Sequence, residues 1–142
     1  MIVLDAYPVL ALLKGELAAP DVRALIERDG ATLTPLGIAE VLDYLVRLAG
    51  ADAEQALLDL AQLGLDAPPA VDADVGARAG LLRARQYHRR DRALSLADCV
   101  AAETARALDV PLATADPHLL DTCTVEGIAV IPLPDSRGGV WS

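Results

Sequence analysis

The order of patterns in this chain predicts an α/β fold, with a central, mostly parallel sheet of about four to five strands flanked by helices. Short runs rich in Val, Ile and Leu alternate with longer stretches of helical periodicity. The opening run, Ile2-Val3-Leu4, is apolar throughout rather than alternating, as a strand covered on both faces requires. A length of 142 residues fits one domain and is enough to bury a real core.

The elements follow in order. A strand over residues 1–4 leads into a helix over 7–13, whose first turn tolerates Pro8. A second helix is expected over 21–28, between Pro20 and Gly30, and a strand over 31–34. Ile38, Val41, Leu42, Leu45 and Leu48 fall on one stripe and predict an amphipathic helix over 38–48. Asp52 and Gly64 bracket a helix over 53–63, as N-cap and stop. Residues 65–67 read as a short strand before Pro68-Pro69, and 72–88 as a long helix. Ser95 opens a helix reaching Leu108. A strand over 110–113, a helical turn over 117–120 and a last strand over 128–131 complete the pattern. Residues 1–132 form the expected domain. The 133–142 tail has little to pack with, and Trp141 reads as a frayed end.

Composition narrows the function. Apolar residues make up 54% of the chain, yet there is no Phe, with three Tyr and one Trp, so the core must be aliphatic. So few rings exclude a single-strand binder built on aromatic platforms. A net charge of −9 argues against a nucleic-acid partner, although cations held by acidic residues would offset part of it. The positive charge is uneven: Arg83, Arg85, Arg89, Arg90 and Arg92 lie close together, and arginine suits bidentate phosphate contact. Arg-favouring codon usage explains such a cluster equally well. Cys99 and Cys123 lack metal-site spacing and read as small buried hydrophobes in a reducing cytosol. No positively charged leader and no membrane span is evident, so a cytoplasmic protein is expected.

Four acids stand near strand-to-helix turns: Asp5, Glu40, Asp98 and Asp116. In a parallel α/β sheet, ligands gather at the carboxyl ends of strands, and one edge can collect all four. Converging carboxylates repel, and a hard divalent cation with oxygen ligands relieves that repulsion. Each acid also has a structural explanation. Ser95 and Asp98 have capping-box spacing, Asp116 precedes Pro117 as an N-cap would, Asp5 could cap the first helix, and Glu40 could favour its helix dipole. Asp5 resists that reading best, because an acid closing a buried strand is costly without a partner and no basic residue lies near it in sequence.

Other residues offer less. Asp43 should pair with Arg47 on the surface, while Glu103, Asp109 and Asp121 should face water. His118 reads as an exposed helix-start residue and His88 as part of a solvated or phosphate-contacting stretch. No serine sits on a glycine-flanked nucleophile turn, and no phosphate-cradling glycine loop with lysine exists.

With these acids in place, the chain resembles the PIN-domain family, in particular the VapC-type toxins of toxin–antitoxin pairs. The resemblance rests on Met-Ile-Val-Leu-Asp5, Ile38-Ala39-Glu40-Val41-Leu42, Leu94-Ser95-Leu96-Ala97-Asp98 and Leu112-Ala113-Thr114-Ala115-Asp116. These segments extend over nearly the whole chain, and their order is more specific than any one of them. The family often has Thr or Ser directly after the first Asp. Here Ala6 and Tyr7 follow, leaving Tyr7 as the nearest replacement hydroxyl.

The resemblance implies a homodimeric Mg²⁺- or Mn²⁺-dependent endoribonuclease, with an antitoxin partner that blocks the site and brings DNA binding to the complex. Asp5, Asp98 and Asp116 would then hold the metal directly. Glu40 would bind directly or through water, and Thr114 would orient Asp116 or the water. The Arg83–Arg92 cluster would hold RNA phosphates. The principal rival is a non-catalytic interaction module of the same fold, with the acids as helix caps. A phosphotransfer receiver lacks its late-strand lysine, and a dehalogenase-like phosphatase lacks its second Asp, since Tyr7 stands in that place.

Overall fold

β1 (Ile2–Leu4) runs through the middle of a parallel four-stranded sheet of order β2-β1-β3-β4 in the computed structural model, which describes all residues 1–142. Its neighbours are β2 (Ala31–Leu33) and β3 (Leu112–Thr114), and β4 (Val130–Pro132) lies beyond β3. All three residues of β1 are at most 2% exposed, which explains the unbroken apolar run. The helices are α1 (Ala6–Lys14), α2 (Ala19–Asp29), α3 (Pro35–Asp43), α4 (Ala53–Ala61), α5 (Ala73–Gln86), α6 (Leu96–Leu108) and α7 (Pro117–Val125). No helix is long and apolar enough to cross a membrane.

Strand alternation divides the core between the two faces of the sheet. Ile2 and Leu4 pack with Val9, Leu12, Val22, Leu33 and Val41 on one face. Val3 and Leu112 pack with Leu82, Cys99, Ala102 and Leu119 on the other. Leu4→Ala should therefore cost about 2–5 kcal/mol of unfolding free energy, read from the shift of a urea midpoint. Both cysteines are buried and unbridged, and burial pushes the thiols up to about 11 at Cys99 and about 12 at Cys123.

The structure alters several of these expectations. Residues 65–67 do not form a strand. They run along the outer edge of β2, held by Asp66 N–H donating to Ala31 O (2.8 Å) and by the Thr32 hydroxyl donating to the Asp66 and Ala67 carbonyls. Pro68 and Pro69 have no N–H with which to extend a ladder. The helix expected over 38–48 begins at Pro35, capped by Thr34, and its end widens into a π turn at Tyr44–Leu48. A Cβ at Gly37 would lie 2.5 Å from Leu33 Cδ1, so glycine is what lets α3 sit this close to β2. The helical turn at 117–120 is a full helix, α7.

The tail is also better tied than its composition suggests. Leu133 is buried and its N–H donates to Thr114 O (2.9 Å). The Tyr7 hydroxyl donates to Pro134 O, and Trp141 Nε1 donates to Asp121 Oδ1 (2.7 Å). Trp141 is thus half-buried rather than frayed.

Candidate active site

Asp5 follows β1 directly and stands where a cap for α1 would, yet its side chain makes no capping bond. Instead Oδ2 accepts a 2.6 Å hydrogen bond from the Thr114 hydroxyl. Oδ1 is buried with no hydrogen-bond partner. The pairing of Leu4 with Ala113 brings Asp5, just past β1, beside Thr114, the last residue of β3. Thr114, fully buried, also accepts from the Asp116 N–H at 3.1 Å. One hydroxyl therefore links the first acid to the last.

Asp98 and Asp116 both cap their helices. Ser95 N–H donates to Asp98 Oδ2 (2.9 Å) and Asp98 N–H to Ser95 Oγ (3.0 Å), completing the capping box of α6. Asp116 Oδ1 accepts from His118 N–H (2.9 Å) at the start of α7, with Pro117 as its first residue. Each cap occupies one carboxylate oxygen and leaves the other without a hydrogen bond inside the protein. Capping and ligand roles are therefore compatible. Glu40 lies in the second turn of α3, because the helix starts earlier than its stripe suggested, so it does not complement the helix dipole.

Repulsion among the acids converges on Asp5, which feels Asp98, Asp116 and Glu40. Burial, then repulsion from Asp98, Asp116 and Glu40, pushes the Asp5 carboxyl up to about 8, against the opposing Thr114 hydrogen bond. Asp98 is raised by burial and by Asp116, with Ser95 and His118 pulling the other way. Glu40 is raised by burial and then by Asp98, although the residue as a whole is exposed.

No three acidic, histidine or cysteine side chains close round a common point. The donor set nonetheless fits a divalent cation. It consists of hard oxygens, the carboxyls repel one another, and Asp5 Oδ1 is a buried acceptor lacking a donor.

The arginine cluster divides. Arg83 Nε donates to Leu94 O (2.8 Å) and lies over the Tyr87 ring; Arg85 clamps Glu126; Arg92 donates to the Gln86 side chain. These three brace the protein itself. Arg89 and Arg90 are exposed and unpaired.

Two further residues depart from expectation. Glu103 is 2% exposed rather than solvated, paired with Arg106, which also bridges to Glu126. Arg85 foremost, with Gln86 and Arg106, holds the Glu126 carboxyl down to about 2. His118, expected to be exposed, is half-buried, and its Nδ1 lies 2.9 Å from Asp91 O. Its signal in the sequence was proximity to Asp116 alone. Asp43 pairs with Arg47 as anticipated. Tyr7 directs its hydroxyl to Pro134, so Thr114 is the residue that supplies one to Asp5.

A parallel sheet covered on both faces, with acids gathered at the carboxyl ends of its strands, places the chain among the α/β proteins. The chain belongs to the PIN domain family, whose model matches residues 2–124. Solved structures share the fold. One is VapC20 of Mycobacterium tuberculosis, described as a sarcin-ricin loop cleaving toxin; it has 18% identity and a TM-score of 0.68, with 91% of this chain and 97% of that one covered. Another is VapBC2 of Rickettsia felis, bound to a DNA fragment from its promoter, with 17% identity, a TM-score of 0.69, and 94% and 99% covered. A third, PAE2754 of Pyrobaculum aerophilum, has 21% identity and a TM-score of 0.58, with 85% and 83% covered. No curated protein matches the sequence.

Proposed function

We propose that this chain is a metal-dependent endoribonuclease, hydrolysing RNA phosphodiester bonds as the toxin of a toxin–antitoxin pair. The observation that carries the reading is Asp5. A buried carboxyl with one oxygen unpartnered, repelled by three further acids, ionises only at a cost that a bound cation would offset. Family membership and the likeness to toxins of the VapC type support the same reading. The proposed assembly is a cytoplasmic homodimer with an antitoxin protein. The nuclease unit is assigned to residues 1–132, with the 133–142 tail fastened to it through Leu133 and Trp141.

Asp5, Asp98 and Asp116 would hold Mg²⁺ or Mn²⁺, with Glu40 completing the set directly or through water. When bound, such a cation acidifies water and neutralises charge on phosphate oxygens. Thr114 fixes Asp5 by donating to Oδ2 and fixes Asp116 by accepting from its N–H, so the unpartnered Asp5 Oδ1 keeps one position. Ser95 does the same for Asp98. Glu40, the most exposed of the four acids, would accept the proton released as water attacks phosphorus.

A non-catalytic module keeps one specific support, the caps that Asp98 and Asp116 form. It leaves Asp5 unexplained. Calorimetric titration with Mn²⁺ in buffers of different ionisation enthalpy separates the two readings. Because the Asp5 carboxyl is raised to about 8, it is largely protonated at neutral pH and must release its proton to bind metal. Proton release approaching one per ion is expected near neutrality and should fade above about pH 9. No binding heat at any pH would leave the module reading in possession.

A further inference from the structure

Residues 87–92 form a tight hairpin beside the acids. His88 and Arg92 pair across it through reciprocal backbone bonds, His88 N–H to Arg92 O (3.0 Å) and Arg92 N–H to His88 O (2.9 Å). Its tip is tied from within: His88 Nδ1 accepts from the N–H groups of Arg90 (3.2 Å) and Asp91 (3.1 Å). A nitrogen receiving two N–H donors carries no proton, so the nearby Asp91 carboxylate, 3.5 Å away, is not its salt-bridge partner. At the base, Arg83 and Arg92 brace the hairpin against α5 and the stretch of chain leading to Ser95. The hairpin is therefore held at both base and tip, and none of these bonds uses the Arg89 or Arg90 side chain.

The hairpin is also fastened to the acid site. Asp91 O lies 2.9 Å from His118 Nδ1, and since a carbonyl only accepts, His118 must donate. His118 belongs to the first turn of α7, which Asp116 caps through the His118 N–H. The same residue thus joins the arginine-bearing tip to the helix start that carries the last acid. Elsewhere, Lys14, Arg28, Arg47, Arg78, Arg85 and Arg106 are all committed to carboxylates. Arg89 and Arg90 are the adjacent pair left without a partner, in a chain whose net charge of −9 otherwise repels phosphate.

Resting on the nuclease reading above, we propose that Arg89 and Arg90 form a subsite for an RNA phosphate flanking the scissile one, and that His118 is the positioning residue setting its distance from the acids. Arginine forks bind phosphate oxygens bidentately and confer affinity without base choice. A hairpin braced at base and tip presents them with little ordering cost.

The test is fluorescence anisotropy of a labelled mixed-sequence RNA oligonucleotide, titrated over salt in EDTA. It uses the full chain carrying Asp98→Asn, so that cleavage does not intrude. Arg89→Ala with Arg90→Ala should weaken binding about tenfold at low salt and flatten the log–log salt slope by about 1.4, roughly 0.7 for each phosphate charge no longer neutralised. His118→Ala should weaken binding and add little to the arginine pair. His118→Asn, whose amide N–H replaces Nδ1–H, should restore it. In the cleavage-competent chain the same changes should raise KM far more than they lower kcat.

Unchanged RNA affinity and slope in the arginine variant would overturn the subsite. So would retained RNA binding alongside lost capture of an acidic protein partner, which would assign the pair to a protein interface. Effects of His118→Ala that simply add to those of the arginines, or persist in His118→Asn, would overturn the positioning role. Arginine-dependent RNA binding by a wild-type chain that cuts no RNA with any metal would uphold phosphate binding by the pair while overturning the nuclease reading and the flanking role with it.

Discussion

Asp5→Asn is expected to stabilise the metal-free protein at alkaline pH while abolishing RNA cleavage. The carboxyl ordinarily titrates near 3.8 and is raised to about 8 in the folded chain. A group raised in this way disfavours folding when ionised. Wild-type stability in EDTA is therefore fully present below about pH 4 and lost as pH rises through about 8. The shift corresponds to a few kcal/mol, on the order of 6 at most, from which an unpaired amide in the variant would subtract about 1–3. Urea unfolding in EDTA should show the two proteins alike near pH 5 and the variant ahead near pH 9. Saturating Mn²⁺ should close that gap for wild type alone. A wild-type protein that grows more stable across this range would mean that Asp5 is already compensated by something other than a cation.

The second large effect is expected at Asp98, where structure and chemistry separate cleanly. Its capping box is complete, and Asn caps nearly as well as Asp, so Asp98→Asn should cost about 1 kcal/mol or less. Loss of one anionic ligand should lower kcat/KM by at least about 10²-fold, since metal stabilisation of transition-state charge amounts to several kcal/mol. Ser95→Ala provides the contrast. It removes the cap without removing the ligand charge, and should lower stability more than Asp98→Asn does while retaining more activity.

What the sequence could reveal divides along the range of the interactions involved. β1 was legible because a strand buried on both faces writes itself as Ile2-Val3-Leu4. The caps at Ser95–Asp98 and at Asp116 were legible because capping is local, spanning three residues or fewer. The partner of Asp5 was not, because Thr114 reaches it only through the adjacency of β1 and β3, strands 109 residues apart at that point.

Burial of Glu103 was hidden for the same reason. Its companion Arg106 is local, but the Glu126 that completes the network comes from beyond the end of α7. The π turn at Tyr44–Leu48 keeps much of the apolar stripe of a helix, so periodicity could not distinguish it. The arginine cluster read as one unit because charge alone does not show which guanidinium groups already have partners; Arg85 and Glu126 are 41 residues apart.

Cleavage itself tests the central claim most directly. The purified chain, freed of bound partners, would be incubated with structured and single-stranded RNAs in Mg²⁺, Mn²⁺ or EDTA, beside a folded Asp98→Asn variant. Metal-dependent cutting that EDTA stops and the variant lacks is the expected result. Cutting that persists in EDTA or in the variant would contradict the assignment of the acids, and an intact panel under every metal would contradict the nuclease itself.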